Sequence, residues 1–121
     1  MAEYNTITLN SRIISKKNSK RWIYRGGRKF LVPSTAYERF RNAALWELKK
    51  HKVTFLGAIK IDYTFSLKGK LDIDTDNAMA SVNDVLEDAG IIENDKLIMK
   101  GSFEKITDQK DWKTVIKIEQ I

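Results

Sequence analysis

The stretch IKIDYTFSLKGKLDIDTDNAMASVNDVLEDAG, residues 59–90, decides the fold of this chain. Its first part, residues 59–67, alternates apolar and polar side chains, which predicts a strand with one buried face and one polar face. Its second part repeats apolar residues at helical spacing, and they are Ala78, Met79, Val82, Val85, Leu86 and Ala89. Gly90 stands where a glycine commonly follows a helix. The stretch therefore predicts a strand, an acidic loop and a helix in succession.

A second helix is predicted directly after Pro33. Thr35 and Glu38 have the spacing of a capping box, in which the two side chains satisfy free backbone N–H groups at a helix start. One apolar stripe follows at spacings of three and four residues, and its members are Tyr37, Phe40, Ala44 and Leu48.

Three further strands complete the predicted set. Ile7 and Leu9 alternate with polar residues and predict the first strand. Residues 97–106 and 112–121 predict two more, and TDQKD between them predicts that they pair as a hairpin. The order of elements indicates a single α+β domain over residues 1–121, with a small mixed β-sheet and two main helices packed on one face.

Composition excludes several kinds of chemistry. The chain has 121 residues and no cysteine, so disulfides, thiolate metal sites and cysteine nucleophiles are excluded. It has one histidine, His51, and no pattern that pairs it with a nucleophile. The N-terminus lacks the basic and apolar regions of a signal peptide. No run approaches the roughly 20 apolar residues of a membrane span, so we expect no membrane partner.

Charge is divided unevenly along the chain. Residues 1–60 hold 14 basic and 3 acidic side chains, whereas residues 61–121 hold 8 and 13. A basic loop at about residues 11–32 contains eight Lys and Arg, all between Arg12 and Lys29, and no acidic residue. Such a split favours a polyanion bound by one part of the molecule. The alternative is an ordinary solvated basic face.

The acidic segment DIDTDN, residues 72–77, has three interpretations. The first is a solvated loop in which Asp76 caps the following helix. The second is a calcium loop, but the glycine and glutamate that an EF-hand requires at its sixth and twelfth positions are here Asn77 and Asn83. The third is a magnesium site, because clustered carboxylates repel one another unless a cation lies among them.

Asp95 can join a magnesium site within about residues 72–95 if the chain folds straight back after the helix. The helix would be roughly 20 Å long, and the six residues from Gly90 to Asp95 cover about the same distance when extended. Mg²⁺ prefers a few carboxylates together with water and substrate phosphate. The spacing thus permits a cluster of Asp74, Asp76 and Asp95, without requiring one.

Residues 74–98, DTDNAMASVNDVLEDAGIIENDKLI, resemble the RusA family of Holliday-junction resolvases. Asp74, Asp76 and Asn77 match the D-x-D-N that opens a helix in that family, and Asp84 begins the match within the helix. Asn94 and Asp95 match the polar pair before the next strand. The basic stretch SKKNSKRW, residues 15–22, also resembles an early loop of the family.

The resemblance implies a homodimeric, Mg²⁺-dependent endonuclease that cuts four-way DNA junctions by paired symmetric nicks. Mn²⁺ is expected to substitute for Mg²⁺, and no small-molecule cofactor is expected. The implied catalytic and metal-binding residues are Asp74, Asp76 and Asp95. A cytoplasmic protein of bacterial or phage origin is expected.

Two wider sets of residues are expected to support this site. The expected DNA-binding residues are Lys16, Lys17, Lys20, Arg21, Trp22, Arg25, Arg28 and Lys29, since lysine and arginine bind phosphates and an aromatic ring can stack on an unpaired base. The residues expected around the carboxylates are Asp72, Asn77, Asp84 and Lys96. The chain departs from the family at Ala80, where family members often carry a lysine that supports catalysis.

Two other functions remain open at this point. One is a branched-DNA-binding protein without nuclease activity, which the alanine at position 80 favours. The other is a metal-dependent nuclease that acts on flaps or forks.

Overall fold

The computed structural model describes residues 4–16 and 20–121. The elements in chain order are β1 (Tyr4–Leu9), β2 (Lys20–Arg25), β3 (Arg28–Pro33), α1 (Thr35–Leu48), β4 (Ile59–Lys68), α2 (Thr75–Asp88), a 3₁₀ turn (Asp95–Leu97), β5 (Ile98–Gln109) and β6 (Lys113–Gln120). Two sheets form, one of four strands and one of two. The predicted α+β class is therefore confirmed.

β4 is one of the two inner strands of the four-stranded sheet, whose order is β1-β6-β4-β5. Its apolar residues are buried at alternate positions from Ile59 to Leu67, as the sequence predicts. β6 pairs with β4 in the antiparallel direction and β5 pairs with it in the parallel direction. The predicted hairpin of β5 and β6 is wrong, because β4 lies between these two strands.

The two helices contribute to one hydrophobic core with the buried face of this sheet. All four residues of the predicted α1 stripe are buried. The cap of α1 is Ser34 rather than Thr35, and its side chain accepts a hydrogen bond of 3.1 Å from the backbone N–H of Tyr37. The predicted helix is thus confirmed with its start one residue earlier. The single domain over residues 1–121 stays a prediction.

α2 connects the parallel strands β4 and β5. The chain leaves the end of β4, runs through α2 and returns to the start of β5, where Ile98 pairs with Ile59. Gly90 follows the helix with a φ of +74°, a left-handed conformation that favours glycine, so the predicted helix end is confirmed. This crossover places the beginning and the end of α2 at opposite ends of β4.

The basic loop contains a regular hairpin of β2 and β3, which pair only with each other. Arg25 pairs with Arg28, so the turn consists of Gly26 and Gly27. Their φ angles are +54° and +76°, and a two-residue turn with both φ values positive matches the twist of a hairpin. Nine of the twelve residues in the two hairpin strands are exposed, and the other three are partly buried. Within the described ranges, no helix has the length and apolar character needed to cross a membrane.

Candidate active site and DNA interface

The start of α2 positions two of the predicted carboxylates. Asp74 is the N-cap residue and has extended backbone angles, but its side chain makes no capping hydrogen bond. The predicted N-cap, Asp76, lies instead within the first turn. Asn77 is buried, and its side-chain amide lies 3.5 Å from a carboxylate oxygen of Asp74. The Asp74 carboxylate therefore stays available to an external cation at a helix end that favours negative charge.

An open cavity of about 470 Å³ lies beside this helix start. Its lining includes Asp72, Asp74 and Asn77 together with Arg12 and Trp112. The guanidinium of Arg12 lies 5.2 Å from the centre of the Trp112 ring, which is a cation–π contact. The cavity thus combines oxygen ligands with a cation suited to a phosphate.

Lys105 of β5 supplies a second cation at this place. Its ammonium group lies 3.0 Å from Asp72 Oδ1 and 3.2 Å from the carbonyl oxygen of Ile73. The hydrogen bond from Lys105, followed by one from the Ile73 backbone, lowers the pKa of the Asp72 carboxyl. The sequence did not identify Lys105, because only the pairing of β5 with β4 brings it beside Asp72.

Asp95 lies in a different environment, at the beginning of the 3₁₀ turn. Its backbone N–H donates a 2.6 Å hydrogen bond to Glu87 of α2. The residue lines an open cavity of about 370 Å³ together with Tyr63, Met79 and Phe103. Burial raises the pKa of the Tyr63 hydroxyl to about 12, and the negative charge of Asp95 adds to this effect, although a hydrogen bond with Asn83 opposes it.

The three predicted carboxylates do not meet within one chain. Asp95 lies near the start of β4, because it directly precedes the residue that pairs with Ile59. Asp74 lies near the end of β4, because the segment before it contacts Lys105, and Lys105 pairs with Phe65. Six residues of β4 separate these two levels, or roughly 20 Å of strand. In residues 4–16 and 20–121, no group of three or more acidic or histidine side chains is placed to hold a metal ion.

The cluster that the spacing permitted, with Asp95 returned to the level of Asp74, does not form within a single chain. The physical reason is the parallel crossover, which requires β5 to begin at the opposite end of β4 from the start of α2. The assignment of the three carboxylates as catalytic residues is not decided by this geometry and stays a prediction.

Asp84 joins the basic loop to the helices. The hydroxyl of Tyr37 donates a 2.5 Å hydrogen bond to Asp84, and the ammonium group of Lys16 lies 3.4 Å from the same carboxylate. Burial, followed by this hydrogen bond, raises the pKa of Tyr37. Asp84 thus anchors the loop and α1 to α2. Lys96 lies near Asp95 in the 3₁₀ turn, at the end of β5 away from Asp72.

Ser81 anchors the same loop one helical turn before Asp84. Its buried hydroxyl donates a 2.7 Å hydrogen bond to the carbonyl of Ile14 and accepts a 3.3 Å hydrogen bond from the backbone N–H of Lys16. Neither Ser81 nor Tyr37 was predicted as a functional residue. Lys17, which was predicted to bind DNA, lies outside the described residues.

The hairpin separates the other predicted DNA-binding residues onto two faces, because side chains alternate along a strand. Lys20, Trp22 and Tyr24 share one face with Lys29, whose ammonium group lies 4.3 Å from the centre of the Trp22 ring. The exposed fractions of Trp22 and Tyr24 are 55% and 73%. One face of the ribbon is therefore aromatic and basic.

The opposite face of the hairpin carries the arginines Arg21, Arg25 and Arg28. Arg21 also contacts Glu38 of α1 at 3.6 Å, which holds the hairpin against the helix. Arginines on an exposed ribbon suit contacts to phosphates, and the aromatic face suits stacking on bases.

A basic ribbon on a small α+β fold is a feature of nucleic-acid-binding proteins. The exposed carboxylates at the start of α2 add oxygen ligands of the kind that Mg²⁺ prefers. The family model described as Endodeoxyribonuclease RusA matches residues 12–119. A relative from Aquifex aeolicus (strain VF5), named crossover junction endodeoxyribonuclease RusA, is 32% identical over 124 residues, which cover 98% of this chain and 94% of the relative. The chain therefore belongs to the RusA family of endodeoxyribonucleases. Membership of this nuclease family implies a metal-ion cofactor.

Proposed function

We propose that this protein resolves Holliday junctions by cutting two strands of a four-way DNA junction at symmetric positions. The observation that carries the proposal is the family match, which extends over residues 12–119. The crossover junction nuclease from Aquifex aeolicus supports it, because that relative corresponds to nearly the whole chain. Resolution is then an endonuclease reaction directed at branched DNA.

Asp74, Asp76 and Asp95 are the proposed catalytic carboxylates, and Mg²⁺ is the proposed ion, with Mn²⁺ as a substitute. The donor set fits this chemistry, since all three side chains offer the oxygen ligands that Mg²⁺ prefers. When bound, such an ion lowers the pKa of a water molecule and neutralises charge on a phosphate. The geometry of one chain does not gather the three carboxylates, so the ligand set requires a further contribution.

The chain's own cations direct the DNA backbone toward the helix start. Arg12 lines the same cavity as Asp74, and Lys105 neutralises Asp72 beside it. These two positive charges reduce the repulsion that a phosphate meets near the acidic segment. Position 80, where family members often carry a lysine, is Ala80 in this chain and lies in α2, so we propose that Arg12 and Lys105 supply the positive charge instead.

The hairpin supplies most of the proposed binding surface. Its arginine face contacts phosphates without regard to sequence, which makes binding sensitive to salt. Its aromatic face, with Trp22 and Tyr24, stacks on bases that are unpaired at the branch point. Lys16 contributes less to binding than Arg25 and Arg28 of the hairpin, because its ammonium group is paired with Asp84.

A homodimer is the proposed assembly. A four-way junction has approximate two-fold symmetry, and a two-fold dimer presents two equivalent sites to two strands. Paired symmetric nicks follow directly from that arrangement.

End-labelled four-way junctions, forks, flaps and linear duplexes, incubated with Mg²⁺ or with EDTA, test the proposal. We expect nicks at symmetric positions in two strands of the four-way junction, in Mg²⁺ alone. Binding to the junction without cutting at any divalent concentration would establish the non-catalytic alternative. Faster cutting of flaps or forks than of four-way junctions would establish the other one.

A further inference from the structure

The outer side of α1 carries a line of exposed polar and charged residues that includes one aromatic ring. The line lies opposite the buried stripe of this helix, because its members recur at spacings of three and four residues. Lys49 is the C-cap of the helix and Lys50 follows it, so the line continues just past the last turn. Its members are Thr35, Arg39, Asn42, Trp46, Lys49 and Lys50, and we call them the cationic face.

The two carboxylates of α1 do not neutralise the cationic face, because they contact other parts of the fold. Glu38 lies 3.6 Å from Arg21 of the hairpin. Glu47 accepts a 3.0 Å hydrogen bond from the backbone N–H of Asn10. Within residues 4–16 and 20–121, the three cations of the face form no ion pair. The face therefore presents an uncompensated positive charge to solvent.

Trp46 lies among these charges and is 72% exposed. The ammonium group of Lys49 lies 5.0 Å from the centre of its ring, which is a cation–π contact. A tryptophan offers a large contact area to a partner. An apolar protein surface would bury the neighbouring cations without a counter-charge, which is costly, whereas a polyanion pairs with each of them. The charges thus favour a polyanionic partner.

Two neighbouring cavities connect the cationic face to the candidate active site. The cavity of about 470 Å³ that contains Asp74 is also lined by Arg12 and Ala36. Arg12 and Ala36 line a second open cavity of about 280 Å³ together with Arg39, the first cation of the face. From Arg39 to Lys50 the helix runs roughly 16 Å, at 1.5 Å per residue. The face therefore begins beside the candidate site and leads away from it.

The shape and length of the cationic face suit double-stranded DNA. Successive phosphates of one strand of a duplex advance about 3.4 Å along its axis, so roughly 16 Å corresponds to about five base pairs. Single strands bind in grooves that follow their backbone, whereas the outer side of a helix is convex. Each arm of a four-way junction is a duplex, and it extends away from the branch point.

We propose that the cationic face of α1 binds the phosphates of one double-helical arm of the junction, over about five base pairs beyond the candidate active site. This inference rests on the proposed function, because it takes a branched DNA as the substrate. The contact is independent of base sequence, and it is separate from the hairpin. It holds the arm in line with the helix start where the nick is proposed to occur.

Removal of charge from the face is the first test. Lys49→Gln with Lys50→Gln removes two cations from the face, and glutamine is compatible with a helix end. The matched control, Lys113→Gln with Lys117→Gln, removes two exposed cations of β6 that lie on the side of the sheet away from the helices, since they alternate with buried residues. Junction binding is measured in EDTA over a range of salt concentrations, so that no cutting occurs.

We expect the face variant to reduce the slope of log affinity against log salt by roughly two, since each lost phosphate contact lowers it by about one. The control is expected to lower the slope by less than about one. An equal decrease in both variants would reflect net charge alone and would overturn the proposal. An unchanged DNA affinity of the face variant together with weaker self-association in sedimentation would assign the face to a protein contact and would also overturn it.

Neutral phosphates in the DNA are the second test. Short blocks of methylphosphonates, which lack the phosphate charge, are placed at successive positions along one junction arm. At one position we expect the unmodified protein and the control to lose affinity, while the face variant loses no more than it has already lost. Such a cycle isolates the contact between the two groups. Losses that simply add at every position would refute the arm contact.

Cleavage of the same junctions in Mg²⁺ separates this inference from the proposed function. If the block and the face variant are coupled but the unmodified protein cuts no branched DNA, the proposed function fails and the arm contact stands. If the unmodified protein cuts the four-way junction and no block is coupled to the face, the arm contact fails and the proposed function stands.

Discussion

Ser81→Ala should loosen the basic loop from the helix that carries the proposed carboxylates. The Ser81 side chain is 1% exposed, and it hydrogen-bonds both the carbonyl of Ile14 and the N–H of Lys16. Removal leaves two backbone groups in a partly buried place without their partner, which costs about 1–3 kcal/mol. A change of 1 kcal/mol shifts the melting temperature of a domain of this size by about 4 °C, so we expect a decrease of about 4–12 °C.

Thermal unfolding of Ser81→Ala beside Thr54→Ala measures this effect. Thr54 also donates a hydroxyl hydrogen bond to a backbone carbonyl, that of Gly90 at 3.0 Å, but it is exposed to water. Water replaces the lost bond at Thr54, so we expect its melting temperature to change by no more than about 4 °C.

Junction affinity provides the functional half of this prediction. The loop that Ser81 holds leads directly into the hairpin, so Ser81→Ala should weaken junction binding while Mn²⁺ affinity stays unchanged. A variant with unchanged melting temperature and unchanged junction affinity would refute the anchoring role. Loss of Mn²⁺ affinity in a folded variant would show that Ser81 acts on the carboxylates instead.

Three other predictions concern charged side chains. The hydrogen bond from Ser102 is the largest cause of the lowered pKa of Asp62. The ionised Asp62 therefore stabilises the folded protein above the pKa that this carboxyl has in the unfolded chain, and this stabilisation is lost as pH falls through its pKa in the folded protein. Ser102→Ala should raise the pKa of Asp62, measured by carboxyl NMR, and an unchanged titration would contradict this cause. Arg25→Gln with Arg28→Gln should reduce the slope of log affinity against log salt by roughly one for each phosphate that the protein no longer neutralises, whereas an unchanged slope would remove the arginine face from the interface. Lys105→Gln should slow junction cleavage more than it weakens junction binding, with Lys105→Arg retaining activity; equal rates in both variants would exclude a role for this charge.

Local patterns in the sequence predicted the helices and most of the strands well, because each of these helices and strands buries one face and its apolar residues repeat along that face. The alternation over residues 59–67 and the stripe from Tyr37 to Leu48 both correspond to buried positions. The basic loop predicted at about residues 11–32 contains a regular hairpin, whose two-residue turn is the glycine pair at 26 and 27. These features depend on neighbours within a few residues, which the sequence shows directly.

Pairings between distant segments were not predictable in the same way. The short loop between β5 and β6 favoured a hairpin, yet β4 lies between these two strands in the sheet. The same crossover fixes Asp95 at the far end of the sheet from Asp74. The number of residues between Asp76 and Asp95 permitted a local cluster, because it sets only the greatest distance that the segment can span. It does not determine the direction in which the segment runs.

The sequence therefore predicted which residues belong to the candidate site, but it did not predict how those residues are arranged in space. Clustered aspartates in a chain with a net charge of +6 pointed to a cation, and the family match agrees with that interpretation. The supporting contacts of Lys105 and Ser81 gave no sequence signal, since a lysine on a strand and a serine in a helix are common. Only the positions of β5 and α2 in space give these two residues a role.

Junction cleavage by Asp74→Asn is the most direct measurement of the central claim that these aspartates perform metal-dependent cleavage. The substitution preserves the fold, because asparagine is as good an N-cap as aspartate and the Asp74 side chain makes no capping hydrogen bond. We expect Mg²⁺-dependent cutting to be abolished while the four-way junction is bound as tightly as before, or more tightly, since one negative charge is lost. Cutting at the unmodified rate by this folded variant would contradict the account.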